Sequence, residues 1–190
     1  MPTLLSLDYL LTNFFNKLVP HNQFFNYLFS FFSLKGSSIL VWLLVIMIIV
    51  ILEERKNPGI SKRDKKFIIL FSLSFLLTAL LSDIVLKNIF MRHRPILDTK
   101  YFILNTFSCP HDFSFPSAHA ATAFAAATVL TFFDKKRRWF YYLVAILISY
   151  SRIYLGCHYF FDVIFGAIIG YIISRLLLFF LDTFPSRKKN

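Results

Sequence analysis

Residues 67–90 read FIILFSLSFLLTALLSDIVLKNIF, in which small hydroxyls are the only polar side chains before Asp83. A helix rising ~1.5 Å per residue over this length outspans the ~30 Å hydrocarbon core of a bilayer. The segment before it, Glu53 to Lys66, carries six basic residues. An apolar run leaving a basic loop is the pattern of a transmembrane helix whose charged flank stays in the cytoplasm. Phe67 to Phe90 is therefore expected to cross outward, and the rest of the chain is oriented from it.

Upstream, Ser37 to Leu52 is almost entirely Leu, Ile, Val and Trp, and it runs into the same basic segment. Downstream, Ser117 to Phe133 returns inward. Its Ala118, Ala120, Ala121, Ala123, Ala125, Ala126 and Ala127 permit close helix contact and place it at the bundle centre. Asp134 to Arg138 is a second basic turn, Trp139 to Leu155 crosses outward, and His158 to Leu178 returns to the tail Arg187, Lys188, Lys189. Five spans result. Before them, the pattern Leu4, Leu5, Leu7, Tyr9, Leu10, Leu11, Phe14, Phe15, Leu18 suits an amphipathic helix lying in the interface better than a span. Phe24 to Leu34, closed by Lys35-Gly36, suits a second interfacial or partly inserted helix. The expected fold is all-α, a polytopic transmembrane helical bundle of about five spans with N-terminal amphipathic interfacial helices. It forms one domain over 1–190: interfacial helices to 36, a transmembrane core over 37–182, and a basic cytoplasmic tail over 183–190.

Composition agrees. A chain that is 57% hydrophobic with 25 Phe is too apolar for an ordinary soluble surface. Its net charge of +11 invites a nucleic-acid reading, but the basic residues flank apolar spans, so the expected partners are the bilayer and a lipid, with no nucleic acid. Met1 to Pro20 has no basic leader and carries Asp8, Asn13 and Asn16, so no cleaved secretory signal is expected. Cys109 and Cys157 do not form a zinc-ligand pattern, and no metal is expected. Both fall on the outer side, where spacing alone leaves a disulfide and two thiols open.

Oriented this way, the unusual polar residues all fall at the outer, non-cytoplasmic end. Lys87 and Arg94 end the second span, Ser117 and His119 begin the third, Arg152 ends the fourth, and His158 with Asp162 begins the fifth. Charged groups gathered at one depth in a membrane protein mark a substrate path. Three cations suit a phosphate or phosphoryl transition state. Ser117 is a natural N-cap, and the free amides beyond it suit phosphate oxygens. His119, in that first turn, is placed to protonate a leaving oxygen. His158 and Asp162, expected four apart on one helix, would let the carboxylate hold one ring nitrogen while the other attacks. The long polar connection from Met91 to Phe115 exceeds what packing needs.

Three motifs carry a family resemblance: KNIFMRHRP over Lys87 to Pro95, PSAH over Pro116 to His119, and SRIYLGCHYFFD over Ser151 to Asp162. In order and internal spacing they resemble the type 2 phosphatidic acid phosphatase family, which shares this pattern with the vanadium haloperoxidases. The resemblance covers roughly Lys66 to Phe180. It implies His158 as nucleophile, Asp162 as its partner, and His119 as general acid and then base for water. Lys87, Arg94, Ser117, Ala118 and Arg152 would bind the phosphate, without a metal or other cofactor. Ala118 stands where the family usually has glycine, which would strain only a backbone with φ > 0.

The implied activity is dephosphorylation of a lipid phosphate or diphosphate at the outer leaflet. A polyprenyl diphosphate such as undecaprenyl diphosphate is preferred over phosphatidylglycerol phosphate, phosphatidate or lipid A. Transfer to an acceptor other than water uses the same residues. A non-enzymatic anionic-lipid binding or transport protein would gain nothing from Asp162 beside a histidine, since a carboxylate weakens anion binding. Plainer roles are expected elsewhere: an ion pair for Asp83 with Lys87, interfacial polar groups at His21, His93 and His111, and lipid-facing or interfacial anchors at Tyr154 and Tyr159. Arg92 is left among a second phosphate, a lipid headgroup and water.

Overall fold

The computed structural model describes residues 3–33, 40–47, 61–95 and 109–183. Seven helices are seen among them: α1 (Leu4–Lys17), α2 (Gln23–Ser33), α3 (40–47), α4 (Lys62–Phe90), α5 (Ala118–Phe133), α6 (Arg138–Tyr154) and α7 (Phe160–Thr183). No strand occurs among the described residues. Much of the Ser37 to Leu52 span, the start of the Glu53 to Lys66 segment, the middle of the Met91 to Phe115 connection and the basic tail lie outside them.

Local chemistry sets the ends of α4. Ser61 Oγ accepts from the Asp64 amide at 3.2 Å while Asp64 Oδ2 accepts from the Ser61 amide at 2.7 Å, a reciprocal N-terminal cap. A π-helical stretch over Leu81–Leu86 precedes the last turn. Met91 then adopts φ 46°, ψ 34°, its amide donating to Lys87 O at 2.9 Å. A left-handed residue with a side chain costs ~1–2 kcal/mol, and here it ends the helix and turns the chain that carries Arg92 and Arg94.

Helix α5 is central, packed against α4, α6 and α7. Its alanines meet glycines. A Cβ added at Gly170 would lie 1.9 Å from Ala121 O, and one at Gly166 would lie 2.4 Å from Ser117 O. Backbone thus lies against backbone, as small residues allow in membrane bundles. Ser174 Oγ, 2.5 Å from Ser74 Oγ, ties α7 to α4. On the other side Val41, Trp42 and Val45 of α3 pack with Ala123, Ala126, Ala127 and Leu130 of α5 and with Tyr141, Val144, Ala145 and Ile148 of α6.

The outer surface is apolar. Ile68, Ile69, Leu76, Leu143, Ile146, Ile168, Ile172 and Phe179 are all exposed, and so large an apolar surface requires lipid rather than water around it. Helices α4 and α7 are long and apolar enough to cross a membrane. The 16-residue α5 is shorter and has ten buried residues, jacketed by its neighbours. At one end of the bundle the Arg63 guanidinium donates to Phe133 O, and Asp134 accepts from Arg137 and Tyr141. The three motifs lie at the other end.

Helix α1 adds a contact that its amphipathic pattern did not predict. In α1 the polar Asp8, Thr12 and Asn16 are buried while Leu4, Leu5, Leu7, Leu10 and Phe14 are exposed. Its polar stripe faces protein instead of water, because it meets unpaired backbone groups there: Asn16 Nδ2 donates to Ile153 O and Tyr154 O at 2.9 and 2.7 Å. Tyr154 is not a lipid-facing anchor. It is fully buried, its hydroxyl donates to Asn26 Oδ1 at 2.7 Å, and its ring stacks on His21.

Candidate active site

The end of α4 and the turn after it supply two cations. Lys87 is buried, and its ammonium pairs with Asp83, one turn back, and with Asp112 Oδ2 at 2.5 Å. The expected Asp83–Lys87 pair is therefore present, with a second carboxylate beside it. Arg94 uses its whole donor fork. Nε donates to Asp112 O at 2.9 Å, Nη2 to Phe113 O at 3.2 Å and to Asp112 Oδ1, and Nη1 to Cys157 O at 2.7 Å. Arg94 Nη1 also lies 3.1 Å from His158 Nε2. A guanidinium only donates, so this contact makes Nε2 the ring nitrogen with the lone pair.

Asp112, singled out by no motif, bridges Lys87 and Arg94. Partial burial raises its carboxyl, but the hydrogen bonds and charges of Lys87 and Arg94 outweigh that and hold it at about 2. A cavity of about 450 Å³ opens beside it, lined by Asn88, His93, Arg94, Pro110, His111 and Phe113.

Ser117 caps α5 as its sequence suggests, accepting from the Ala120 amide at 3.5 Å. Its own amide donates to Asp162 O at 2.9 Å, fastening the start of α5 to the first turn of α7. Ala118 opens α5 in a helical conformation, so the methyl group in place of the usual glycine is unstrained. His119 follows in the same turn, within Coulombic reach of Arg152, His158, Lys87 and Arg94. Arg152, at the end of α6, is buried, and its Nη1 donates to Ser33 O at 2.8 Å and to Ser33 Oγ.

His158 and Asp162 meet, but not by one helix face. Helix α7 begins at Phe160, so His158 lies in the turn before it, its amide donating to Arg152 O at 3.2 Å. The helix starts there because Asp162 Oδ2 accepts from the Tyr159 amide at 2.9 Å, which occupies the carboxylate and stops the helix short of His158. His158 Nδ1 remains 3.6 Å from Asp162 Oδ2. The other oxygen, Oδ1, accepts from Arg92 Nη1 at 2.7 Å, and Arg92 Nη2 reaches Asp8 Oδ2 at 2.7 Å. Arg92 is thus bound to two carboxylates, and its guanidinium lies 3.9 Å over the Tyr159 ring, so Tyr159 is not simply a lipid anchor.

Cys109 and Cys157 form a disulfide, which tethers the segment leading to α5 to the residue preceding His158. Among the described residues no group of three or more His, Cys, Asp or Glu is arranged to hold a metal ion. All eight residues expected at the site lie at this end of the bundle. Sequence reasoning missed Asp112 and Asp8 and left Arg92 open. The one signal for Asp8 was the i, i+4, i+8 spacing of Asp8, Thr12 and Asn16 on an otherwise apolar helix.

An undecaprenyl-diphosphatase from Sulfolobus acidocaldarius is 32% identical over 178 residues, spanning 90% of this chain and 79% of that protein. Among solved structures, Aquifex aeolicus LpxE is 30% identical with a TM-score of 0.61, over 92% of this chain and 93% of the other. The transmembrane PAP2 type phosphatidylglycerolphosphate phosphatase from Bacillus subtilis shares the fold at 22% identity, with a TM-score of 0.66 over 99% and 90% of the two chains. Residues 67–185, which hold all three motifs, α4 from Phe67 onward and helices α5 to α7, match the PAP2 superfamily, and the chain belongs to that superfamily.

Proposed function

We propose that this chain is a lipid-phosphate or diphosphate phosphatase, spanning the membrane about five times, with its site at the periplasmic or extracellular face. The observation that carries it is the convergence of Lys87, Arg94, Arg152, the capped start of α5 and the His158–Asp162 pair at the bundle end opposite Arg63 and Arg137. His158 Nε2, the nitrogen with the lone pair, attacks phosphorus in line. His119 donates its proton to the departing lipid oxygen, leaving phosphohistidine, and then takes a proton from the water that resolves it. Lys87, Arg94, Arg152 and the amides near Ser117 and Ala118 neutralise the equatorial oxygens. Asp162 holds the imidazole with Nε2 outward. The chemistry runs without a metal.

The preferred substrate class is a polyprenyl diphosphate such as undecaprenyl diphosphate, supported by the Sulfolobus relative. The test is phosphate release by the detergent-purified protein and by His158→Ala, with EDTA, from undecaprenyl diphosphate, phosphatidylglycerol phosphate, phosphatidate and lipid A. Release by the unaltered protein alone, greatest from undecaprenyl diphosphate, is expected. Equal release by both proteins refutes the nucleophile. A different preferred lipid refutes the substrate, and lipid-to-lipid transfer in place of release refutes hydrolysis.

A further inference from the structure

The N-terminal helix α1 lies outside the region that matches the superfamily, yet its polar side chains reach the site. Asp8, Thr12 and Asn16 recur every four residues, so they form one stripe, and all three are buried. Buried polar groups without partners are costly, and each of these has partners at the turn that carries His158. Asn16 takes the last carbonyls of α6, as described. Thr12 Oγ1 accepts from the Phe160 amide at 2.9 Å, and Asp8 Oδ1 accepts from the Phe161 amide at 2.9 Å. Helix α1 therefore caps α7 from outside and holds both ends of the 155–159 turn.

Asp8 does more than cap. Its second oxygen binds Arg92, whose other nitrogen binds Asp162 Oδ1, while Asp162 Oδ2 accepts from the Tyr159 amide and faces His158 Nδ1 at 3.6 Å. We propose that Asp8 and Arg92 are positioning residues, a carboxylate and guanidinium that set the charge and orientation of Asp162 and through it those of His158. This rests on the reading of His158 as nucleophile. The buried carboxylates of Asp8 and Asp162 share one guanidinium between them. Without it the two like charges repel.

The sign of the resulting pH effect follows from charge. The titratable and charged groups facing Asp162 and His158 are Arg92, Asp8 and Tyr159 on one side and Lys87, Arg94, Arg152 and His119 on the other, with Asp112 paired to Lys87 and Arg94. Turnover needs an ionised Asp162 and a neutral His158, and both are lost as pH falls. Removing a cation favours protonation of both, and removing an anion disfavours it. Arg92→Gln should therefore move the acid limb of the pH–rate profile upward, and Asp8→Asn should move it downward. A merely structural contact gives no such opposed pair.

The experiment is kcat and KM for undecaprenyl diphosphate from pH 5 to 9, with the full chain, Arg92→Gln, Asp8→Asn, the double variant and His158→Ala. Arg92→Gln is expected to lose about 100-fold in kcat, the order of an ångström-scale misplacement, with KM within about threefold. Its acid limb should rise by roughly one pH unit. Asp8→Asn, nearly isosteric and able to keep the Phe161 contact, should lose about tenfold with the limb displaced the other way. The double variant should recover part of the loss of Arg92→Gln. Limbs that coincide with that of the unaltered chain, or shift in the same direction, overturn the proposal, as does wild-type kcat in Arg92→Gln. If Arg92→Gln does not fold, the direction of the Asp8→Asn limb decides alone. His158→Ala separates the two readings: full activity there means the nucleophile assignment has failed, whereas its inactivity beside fully active Arg92→Gln means only the positioning role has.

Discussion

Replacing Gly170 by alanine tests the packing that brings the motifs together. The added Cβ would sit 1.9 Å from Ala121 O and 2.8 Å from Ala121 C, where ordinary contact begins at 3.4 Å. The deficit of about 1.5 Å is against backbone atoms in the first turn of α5, so no rotamer change relieves it and the two helices must part. Overpacking of this kind costs ~1–3 kcal/mol. For a chain of this size that lowers Tm by at least about 2–4 °C. The parting also acts on the site, because α5 carries Ser117 and His119, α7 carries Asp162, and the two meet through the Ser117 amide and Asp162 O at 2.9 Å. A displacement near 1 Å there costs about 100-fold in rate. Gly166→Ala is the companion, with a smaller deficit against Ser117 O itself. It should destabilise less and inactivate at least as much. Ile168→Ala, on the exposed face of the same helix, controls for α7 as such. The assay is thermal unfolding in detergent paired with kcat/KM on undecaprenyl diphosphate. A Gly170→Ala protein that melts within about 1 °C of the parent and keeps its activity refutes the backbone contact.

Asp112→Asn removes the carboxylate that bridges Lys87 and Arg94, so vanadate or inorganic phosphate should inhibit about tenfold more tightly. Weaker inhibition would mean that Asp112 orients those cations for the substrate. The same residue sets an acid-stability window. Its carboxyl, normally near 3.8, is held at about 2 in the fold, so its stabilising contribution is complete above pH 3.8 and is lost as pH falls from there through about 2. Acid titration of Tm should show Asp112→Asn flattening the curve in that interval. Cys109→Ser opens a cross-link between residues 48 apart, worth roughly 4 kcal/mol in the chain-entropy model. A dithiothreitol-dependent fall in Tm in the parent, absent from the variant, is the check. Met91→Gly relieves a left-handed residue at an exposed position and should raise stability by ~0.5–1 kcal/mol, read as Tm.

The all-helical bundle was legible in the sequence because lipid imposes long apolar helices, and α4 and α7 have that length and composition. The alanines of α5 announced close contact for the same reason. Motif spacing also brought Lys87, Arg94, Ser117, His119, Arg152, His158 and Asp162 to one end, since each sits at or beside a helix end. Interactions between distant segments were not legible. The stripe of Asp8, Thr12 and Asn16 reads as the wet face of an interfacial helix, because sequence cannot say that the unpaired amides of Phe160 and Phe161 lie opposite it. His158 reads as helical from its four-residue distance to Asp162, yet that carboxylate caps the Tyr159 amide and starts the helix after it. Tyr154 reads as a lipid anchor until Asn26 is found against its hydroxyl.

The partners of the site's cations bear on turnover. Arg94 is engaged by Asp112, by three carbonyls and by His158 Nε2, and Lys87 by two aspartates. On the proposed mechanism a phosphate gains these cations only by exchanging with Asp112, so its net affinity is the difference between two similar charge-assisted contacts. The transition state gathers more charge on its equatorial oxygens than a carboxylate can offer, and it uses the full Arg94 fork, whereas inorganic phosphate leaves as Asp112 returns. Exchange of this kind weakens ground-state and product binding more than transition-state binding, and binding energy expressed only in the transition state is what raises kcat.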